Sequence, residues 1–255
     1  MSDFVLTERE GAILTIRFNR AQKKNALTVA MYEAMSSALD QAVADPSVRV
    51  IVFAGSEECF TSGNDLMDFM QNPPTGLDSE VFRFLKRLST CDKPIIAAVA
   101  GPAVGIGTTM LLHCDLAWAA TNTRFQLPFV SLGLVPEAAS SLLLPLQLGH
   151  VRAAELLLLA EPFDAKKAYE FGIINGVVEP GDLFAVVRAK AQRLAALPPA
   201  ALRASKRLMK HGQQAVTERM IDEGAIFIDR LTSPEAGEAM TAFMERRQPD
   251  FSRFE

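Results

Sequence analysis

The stretch Lys93–Asp115, KPIIAAVAGPAVGIGTTMLLHCD, constrains the fold more than any other part of the chain. Ile95–Ala100 is an apolar run with no polar alternation, the pattern of a strand covered on both faces. Gly101, Pro102, Gly105 and Gly107 follow, and then an apolar segment from Thr108 to His113. Strand, glycine-rich turn and helix in succession place backbone N–H groups without intrahelical partners at a helix start. The positive end of the helix dipole adds to them, so an anion or a developing oxyanion is favoured there. No Gly-Lys-Ser/Thr follows, which excludes a Walker loop. Met110 stands where a dinucleotide fingerprint needs its third glycine. Spacing alone leaves two readings open: an oxyanion site, or close helix–strand packing.

The remaining chain alternates strand and helix patterns around that stretch. Phe4–Glu8 and Ala12–Phe18 read as strands joined at Glu10-Gly11, Thr28 as the cap of a helix to Val43, and Val48–Ala54 as a buried strand. Asn72–Asp78, NPPTGLD, reads as a loop, and a helix from Ser79 to Thr90 leads back to the central strand. Short strands are expected at Asp115–Ala120 and Arg124-Phe125. Pro136 is read as a helix start, with Glu137 in the first turn and the helix running to Leu148. Further helices are expected at His150–Leu159 and Asp164–Phe171, then a strand at Ile173–Val178. Beyond Gly181 the pattern is helical throughout: Leu183–Leu197, Pro199–His211, Val216–Leu231 and Pro234–Arg246. The expected organisation is therefore an α/β core over 1–180 and a helical region over 181–255.

Composition narrows the function. With 255 residues, 49% of them apolar, the chain can bury a large core, and its net charge of −4 argues against a nucleic-acid partner. Cys59, Cys91 and Cys114 are odd in number and widely spaced, and His113, His150 and His211 form no metal-ligand spacing, so neither a disulfide framework nor a metal site is expected. The N-terminus carries charge early, no apolar run spans a bilayer, and the last residues are no peroxisomal address. A cytoplasmic protein without membrane contact is the expectation.

Among the acids, Glu137 lies among Leu132, Leu134, Val135, Ala138 and Ala139. It is either a dipole-stabilising acid in a first helical turn or a base whose pKa burial raises toward neutrality. Asp65 is read as a helix cap, Asp115 as a satisfied structural carboxylate.

Five segments occur together in one order: NRAQKKNAL (Asn19–Leu27), FTSGNDL (Phe60–Leu66), KPIIAAVAGPAVGIG (Lys93–Gly107), CDLAWA (Cys114–Ala119) and FVSLGLVPE (Phe129–Glu137). In these the chain resembles the enoyl-CoA hydratase/isomerase, or crotonase, superfamily from about Leu6 to Phe251. SGNDL, GPAVGI, the PE-x-x-SS motif at Pro136–Ser141 and LPPAALRASK at Leu197–Lys206 look most like the peroxisomal-type 3-enoyl-CoA to 2-enoyl-CoA isomerases. The resemblance implies a β-β-α spiral core with a C-terminal helical trimerisation region, and a homotrimer or dimer of trimers. Apolar positions such as Ile221, Ala225, Ile228, Leu231 and Met240 suit such an interface.

It also implies an acyl-CoA ligand. The thioester oxygen would lie between the N–H groups of Asn64 and Ile106, with Glu137 as the base. The ligand site implied takes Lys23, Lys24 and Ala26 from the first loop and Ser62, Gly63, Asn64, Asp65 and Leu66 from the second. Gly105 and Phe129 complete it. Arg246 and Arg247 are candidates to reach a neighbouring subunit's CoA, and Phe125 and Leu142–Leu144 candidates for acyl pocket or core. Hydratases of the superfamily use two glutamates, and this sequence has Thr109 and Phe129 at those positions. The implied activity is isomerisation of 3-enoyl-CoA to trans-2-enoyl-CoA in fatty-acid β-oxidation, without metal or redox cofactor, CoA being part of the substrate. The alternatives are another acyl-CoA reaction of the family, including hydration, and a non-catalytic acyl-CoA- or RNA-binding relative.

Overall fold

A computed structural model describes residues 3–210 and 212–254; His211, the expected end of one helix, lies outside them. The main sheet has six strands: β1 (Val5–Glu10), β2 (Ile13–Phe18), β3 (Val50–Ala54), β4 (Ile95–Val99), β6 (Leu116–Ala120) and β9 (Gly176–Val178), adjacent in that order. Only the β1–β2 hairpin is antiparallel; β2 to β9 run parallel. Every residue of β3 and β4 is buried, as their unbroken apolar sequences require. The edge strand β1 buries only Val5 and presents Glu8, Arg9 and Glu10 to solvent, charges that discourage pairing with another edge.

Helices α1 (Val29–Ala44) and α3 (Glu80–Thr90) connect successive parallel strands on one face, with α2 (Leu66–Gln71) between them. Their apolar sides enclose Phe18, Tyr32, Phe53, Phe60 and Phe84, whose rings meet edge-on or tilted. The opposite face is covered by α8 (Leu183–Ala195) through Leu183, Val187 and Ala191 packed on Ile13, Val50, Val52 and Ile96. In packing, α8 is thus a layer of the core, although it lies beyond residue 180.

A second sheet holds β5 (Pro102–Val104), β7 (Arg124–Gln126) and β8 (Phe163–Asp164). The strand β5 was not expected: it occupies the glycine-rich turn, and the helix after it, α4 (Ile106–Thr109), begins two residues before Thr108 and tightens into a 3-10 turn over Met110–His113. The remaining helices are α5 (Ser140–Leu148), α6 (His150–Leu158), α7 (Ala165–Glu170), α9 (Pro199–Met209), α10 (Gln213–Leu231) and α11 (Pro234–Glu245). Asp115 is structural, as expected. Its Oδ2 accepts from the Ile95 N–H at 2.7 Å and from buried Lys206 Nζ at 2.7 Å, which ties α9 to the sheet. Among the described residues no helix is long and apolar enough to cross a membrane.

Candidate active site

A cavity of about 610 Å³ opens between the two sheets' loops, α5's approach and the C-terminal helices. The loop after β2, the loop after Phe60 and the start of α4 form its polar wall. Asn25 pins the first two together from inside. It is 1% exposed, its Nδ2 donates to the carbonyls of Cys59 and Phe60 at 3.0 Å each, and its own carbonyl accepts from the Thr61 hydroxyl at 2.7 Å. Arg20 extends the clamp, donating to Asp65 Oδ2 at 2.6 Å and the Ala26 carbonyl at 2.9 Å. Gly63 has φ +90°, and a β-carbon there would stand 2.9 Å from the Val104 carbonyl oxygen, so the second loop and β5 meet this closely only with glycine.

The two loops present backbone donors. Leu27 donates to the Gly63 carbonyl and Asp65 to the Leu27 carbonyl, a bridge that passes over Asn64 and leaves its N–H unused. The Gly105 N–H is taken by the Gln126 carbonyl at 2.9 Å, whereas Ile106, the first residue of α4, has no i−4 carbonyl for its own. Among the described residues neither the Asn64 nor the Ile106 N–H has a protein acceptor, and both residues line the cavity. The Asn64 side chain is fixed by Tyr32, whose hydroxyl donates to Oδ1 at 2.5 Å.

Glu137 also lines the cavity and is 4% exposed. Burial pushes its carboxyl from 4.5 to about 7; Thr109, donating to Oε1 at 3.3 Å, draws it down, and the Glu223 carboxylate adds to the rise. Its backbone setting corrects the sequence reading. Helix α5 starts at Ser140, not Pro136, because Ala138 and Ala139 take φ of 59° and 56°. Glu137 therefore stands before a left-handed turn rather than in a first helical turn, and a dipole-stabilising role does not apply. Asp65, the other acid lining the cavity, is committed elsewhere. It is the cap of α2, accepting from Met67 and Asp68, and despite partial burial the Arg20 hydrogen bond and these N–H groups hold it below the usual carboxylate range.

A raised carboxylate pKa has a stability consequence. The folded state binds the Glu137 proton more tightly than the unfolded chain, so stability falls as pH rises from about 4.5 to about 7. Above that range the ionised group costs roughly 3 kcal/mol relative to its protonated form. Denaturant titration should therefore find Glu137→Gln more stable than the wild type at pH 8. The gap should close on the acid side of the window. Equal stabilities at pH 8 would mean that the carboxyl titrates normally.

All ten expected ligand-site residues line this cavity: Lys23, Lys24, Ala26, Ser62, Gly63, Asn64, Asp65, Leu66, Gly105 and Phe129. Phe69, Leu132, Leu134, Phe227 and Met240 supply apolar wall. Phe125 does not contribute; it is core, stacked on Phe163 at 5.4 Å, and Leu142–Leu144 also stay out. Arg247 is engaged by Glu238 at 2.5 Å and Glu245 at 2.6 Å, and Arg246 caps α11; neither lines the cavity. Sequence reading missed Asn25, Tyr32 and Glu223. Asn25 carried a signal, an Asn closing a polar loop, but Tyr32 and Glu223 act across long sequence separations that no local pattern marks.

The family model described as enoyl-CoA hydratase/isomerase matches residues 8–253. Enoyl-CoA delta isomerase 2 of Rattus norvegicus is 33% identical over 95% of this chain, which spans only 64% of the rat protein. Short-chain-enoyl-CoA hydratase of Clostridium acetobutylicum is 30% identical over 96% of this chain and 95% of its own length. The solved structure of Pseudomonas aeruginosa OdaA is 48% identical, with a TM-score of 0.94, over 96% of this chain and 100% of that one. Relatives thus carry both isomerase and hydratase names, on the crotonase fold that the two sheets and their crossovers build here. With a match over nearly its whole length, the chain belongs to the enoyl-CoA hydratase/isomerase family.

Proposed function

We propose that this enzyme isomerises 3-enoyl-CoA to trans-2-enoyl-CoA. The observation that carries the reading is the pairing of one near-neutral carboxyl, Glu137, with two unused N–H donors in a cavity whose other acid is already bound to Arg20. Ionised Glu137 takes a proton from C2, beside the thioester. The electron pair moves onto the thioester oxygen, where the N–H groups of Asn64 and Ile106 stabilise the enolate. The carboxylic acid so formed returns the proton at C4, and the double bond comes to lie between C2 and C3. A pKa near 7 suits both directions of this transfer. No metal or redox step is needed, and CoA enters as part of the substrate. Lys23 and Lys24 stand at the cavity mouth as partners for its phosphates.

Hydration needs a second group to hold and activate water. Thr109 donates its hydroxyl to Glu137 and is no proton carrier at neutral pH, and Phe129 has no proton to exchange. The decisive assay offers purified protein both 3-hexenoyl-CoA and 2-hexenoyl-CoA. Isomerisation of the first with slow or no hydration of the second supports the reading; the opposite pattern rejects it.

The reading includes a trimer or a dimer of trimers. Supporting it are exposed apolar side chains on the late helices: Leu208 at 76%, Ile221 at 48% and Ile226 at 52%. Of the positions expected at that interface, Ile221 and Ala225 face outward and Ile228 and Leu231 are half-buried, whereas Met240 turns into the cavity. Light scattering at micromolar concentration should give three or six times the 27.8 kDa chain mass. A stable monomer would remove the oligomer from the proposal.

A further inference from the structure

The backbone that carries Glu137 is held by groups remote from it in sequence. Ala138 and Ala139 both have positive φ, a region that glycine enters freely and that a β-carbon disfavours. Within the segment the turn is closed only by the Ser140 N–H donating to the Glu137 carbonyl at 3.0 Å, and α5 has no side-chain cap of its own. Further support comes from Glu223 on α10, which is 6% exposed. Its Oε2 accepts from the Ala139 N–H at 2.6 Å and its Oε1 from the Ser141 N–H at 2.9 Å. On the other side His113 Nε2 lies 2.8 Å from the Ala138 carbonyl oxygen. Burial pushes that imidazole down to about 4, so at neutral pH it is uncharged and its ring N–H donates.

A carboxylate ordinarily satisfies a helix start from the adjacent cap position. Here it is supplied from 84 residues away and clamps the second and fourth residues after the proposed base. We propose that Glu223 is a positioning residue for Glu137: by holding the left-handed Ala138–Ala139 turn, it sets where the Glu137 carboxyl stands in the cavity. The inference rests on the reading of Glu137 as the base. The charged and titratable surroundings are few. Glu223 acts on Glu137, Glu137 in turn acts on Tyr32, and the Thr109 hydroxyl bonds to Glu137. Arg219 acts on Glu223 and donates to the Ser141 hydroxyl at 3.2 Å. Burial raises the Glu223 carboxyl above its ordinary value while its hydrogen bonds and Arg219 draw it down, and its negative charge in turn raises Glu137.

The test uses Glu223→Gln, which is nearly isosteric but offers one acceptor where two are needed. Three quantities are read on the purified full chain: kcat and KM for 3-hexenoyl-CoA isomerisation, and the 13C-carboxyl NMR titration of Glu137, assigned by its absence in Glu137→Gln. The expected result is a kcat at least tenfold lower, a KM within twofold, and a Glu137 midpoint displaced toward acid. Adding Ala139→Gly to Glu223→Gln should recover at least threefold in kcat, because glycine keeps the turn without being held. A folded Glu223→Gln protein with unchanged kcat overturns the proposal. So does a loss that glycine does not rescue and that leaves the titration unmoved, which is the signature of a merely structural carboxylate. Should the wild type not isomerise 3-hexenoyl-CoA, the functional reading fails by itself. The titration then still decides the placement: a Glu137 midpoint that moves again when Ala139→Gly is added to Glu223→Gln supports it, because the Glu223 charge is absent from both variants, and one that does not move overturns it. If Glu223→Gln does not fold, Glu223→Asp withdraws the carboxylate by one methylene and is scored on kcat and on the glycine rescue in the same way.

Discussion

Replacing Glu137 by glutamine is expected to lower isomerase turnover by at least ~10²–10⁴-fold, the range that general acid–base catalysis supplies. Glutamine keeps the shape and can still accept from Thr109, but it takes no proton from C2 and has none to deliver at C4. Binding should survive, because the cavity wall, the N–H donors and the loop lysines are untouched; acyl-CoA titration by calorimetry should give a Kd within a few-fold of the wild type. In the wild type, kcat/KM should rise with pH through an inflection near 7, where the buried carboxyl ionises in the free enzyme. Rapid hydration of 2-hexenoyl-CoA that persists in Glu137→Gln would show that another group carries the chemistry and that the reaction has been assigned wrongly.

The second large effect is expected at a residue whose side chain has no reacting atom. Ile106→Pro deletes one of the two N–H groups available to the enolate oxygen. Loss of such a donor is typically worth about 10²–10³ in kcat. Proline is tolerated at the first position of a helix, where no intrahelical bond is lost, and Gly105 before it has no β-carbon to clash. The variant should therefore fold, which circular dichroism checks, and fail to turn over. Ile106→Ala keeps the N–H and should retain most of the activity. If the proline variant is folded and active, Ile106 does not donate to the oxygen; if the alanine variant is as inactive as the proline one, its side chain matters for another reason.

The sequence makes legible what local chemistry decides. The buried strands β3 and β4 follow from their apolar runs, and the caps at Thr28, Asp65 and Asp164 follow from short polar side chains before apolar periodicity. The ligand-site residues, by contrast, came from motif order; their side chains alone would not have revealed Asn64 and Ile106, since only their backbone atoms are offered. Two features escaped because the forces that set them are not local. Strand β5 is only three residues long and exists through its pairing with β7, at a register no spacing in its own segment announces. The start of α5 was misplaced because Pro-Glu-Ala-Ala favours helix, and what prevents it is a carboxylate from α10 and an imidazole from the turn after α4. Propensity was overridden by tertiary contact, and it was overridden at the residue proposed to do the chemistry, where strain is commonly found.

The backbone clamp at Asn25, Gly63 and β5 has a consequence for how reactions diversify on such a scaffold. It fixes the loops that put two backbone N–H groups without a protein acceptor, those of Asn64 and Ile106, on the wall of one cavity. In the proposed reaction, side-chain exchanges at Asn64 and Ile106 that keep the N–H would leave carbonyl activation in place. What remains open to change are Phe129 and Glu137, which line the cavity, and buried Thr109, which donates to Glu137. Each is a socket into which a proton carrier can be fitted or from which one can be withdrawn, while the backbone wall stays in place. Retooling such an enzyme is then a matter of exchanging side chains at a few sockets, and divergence in chemistry can outpace divergence in shape.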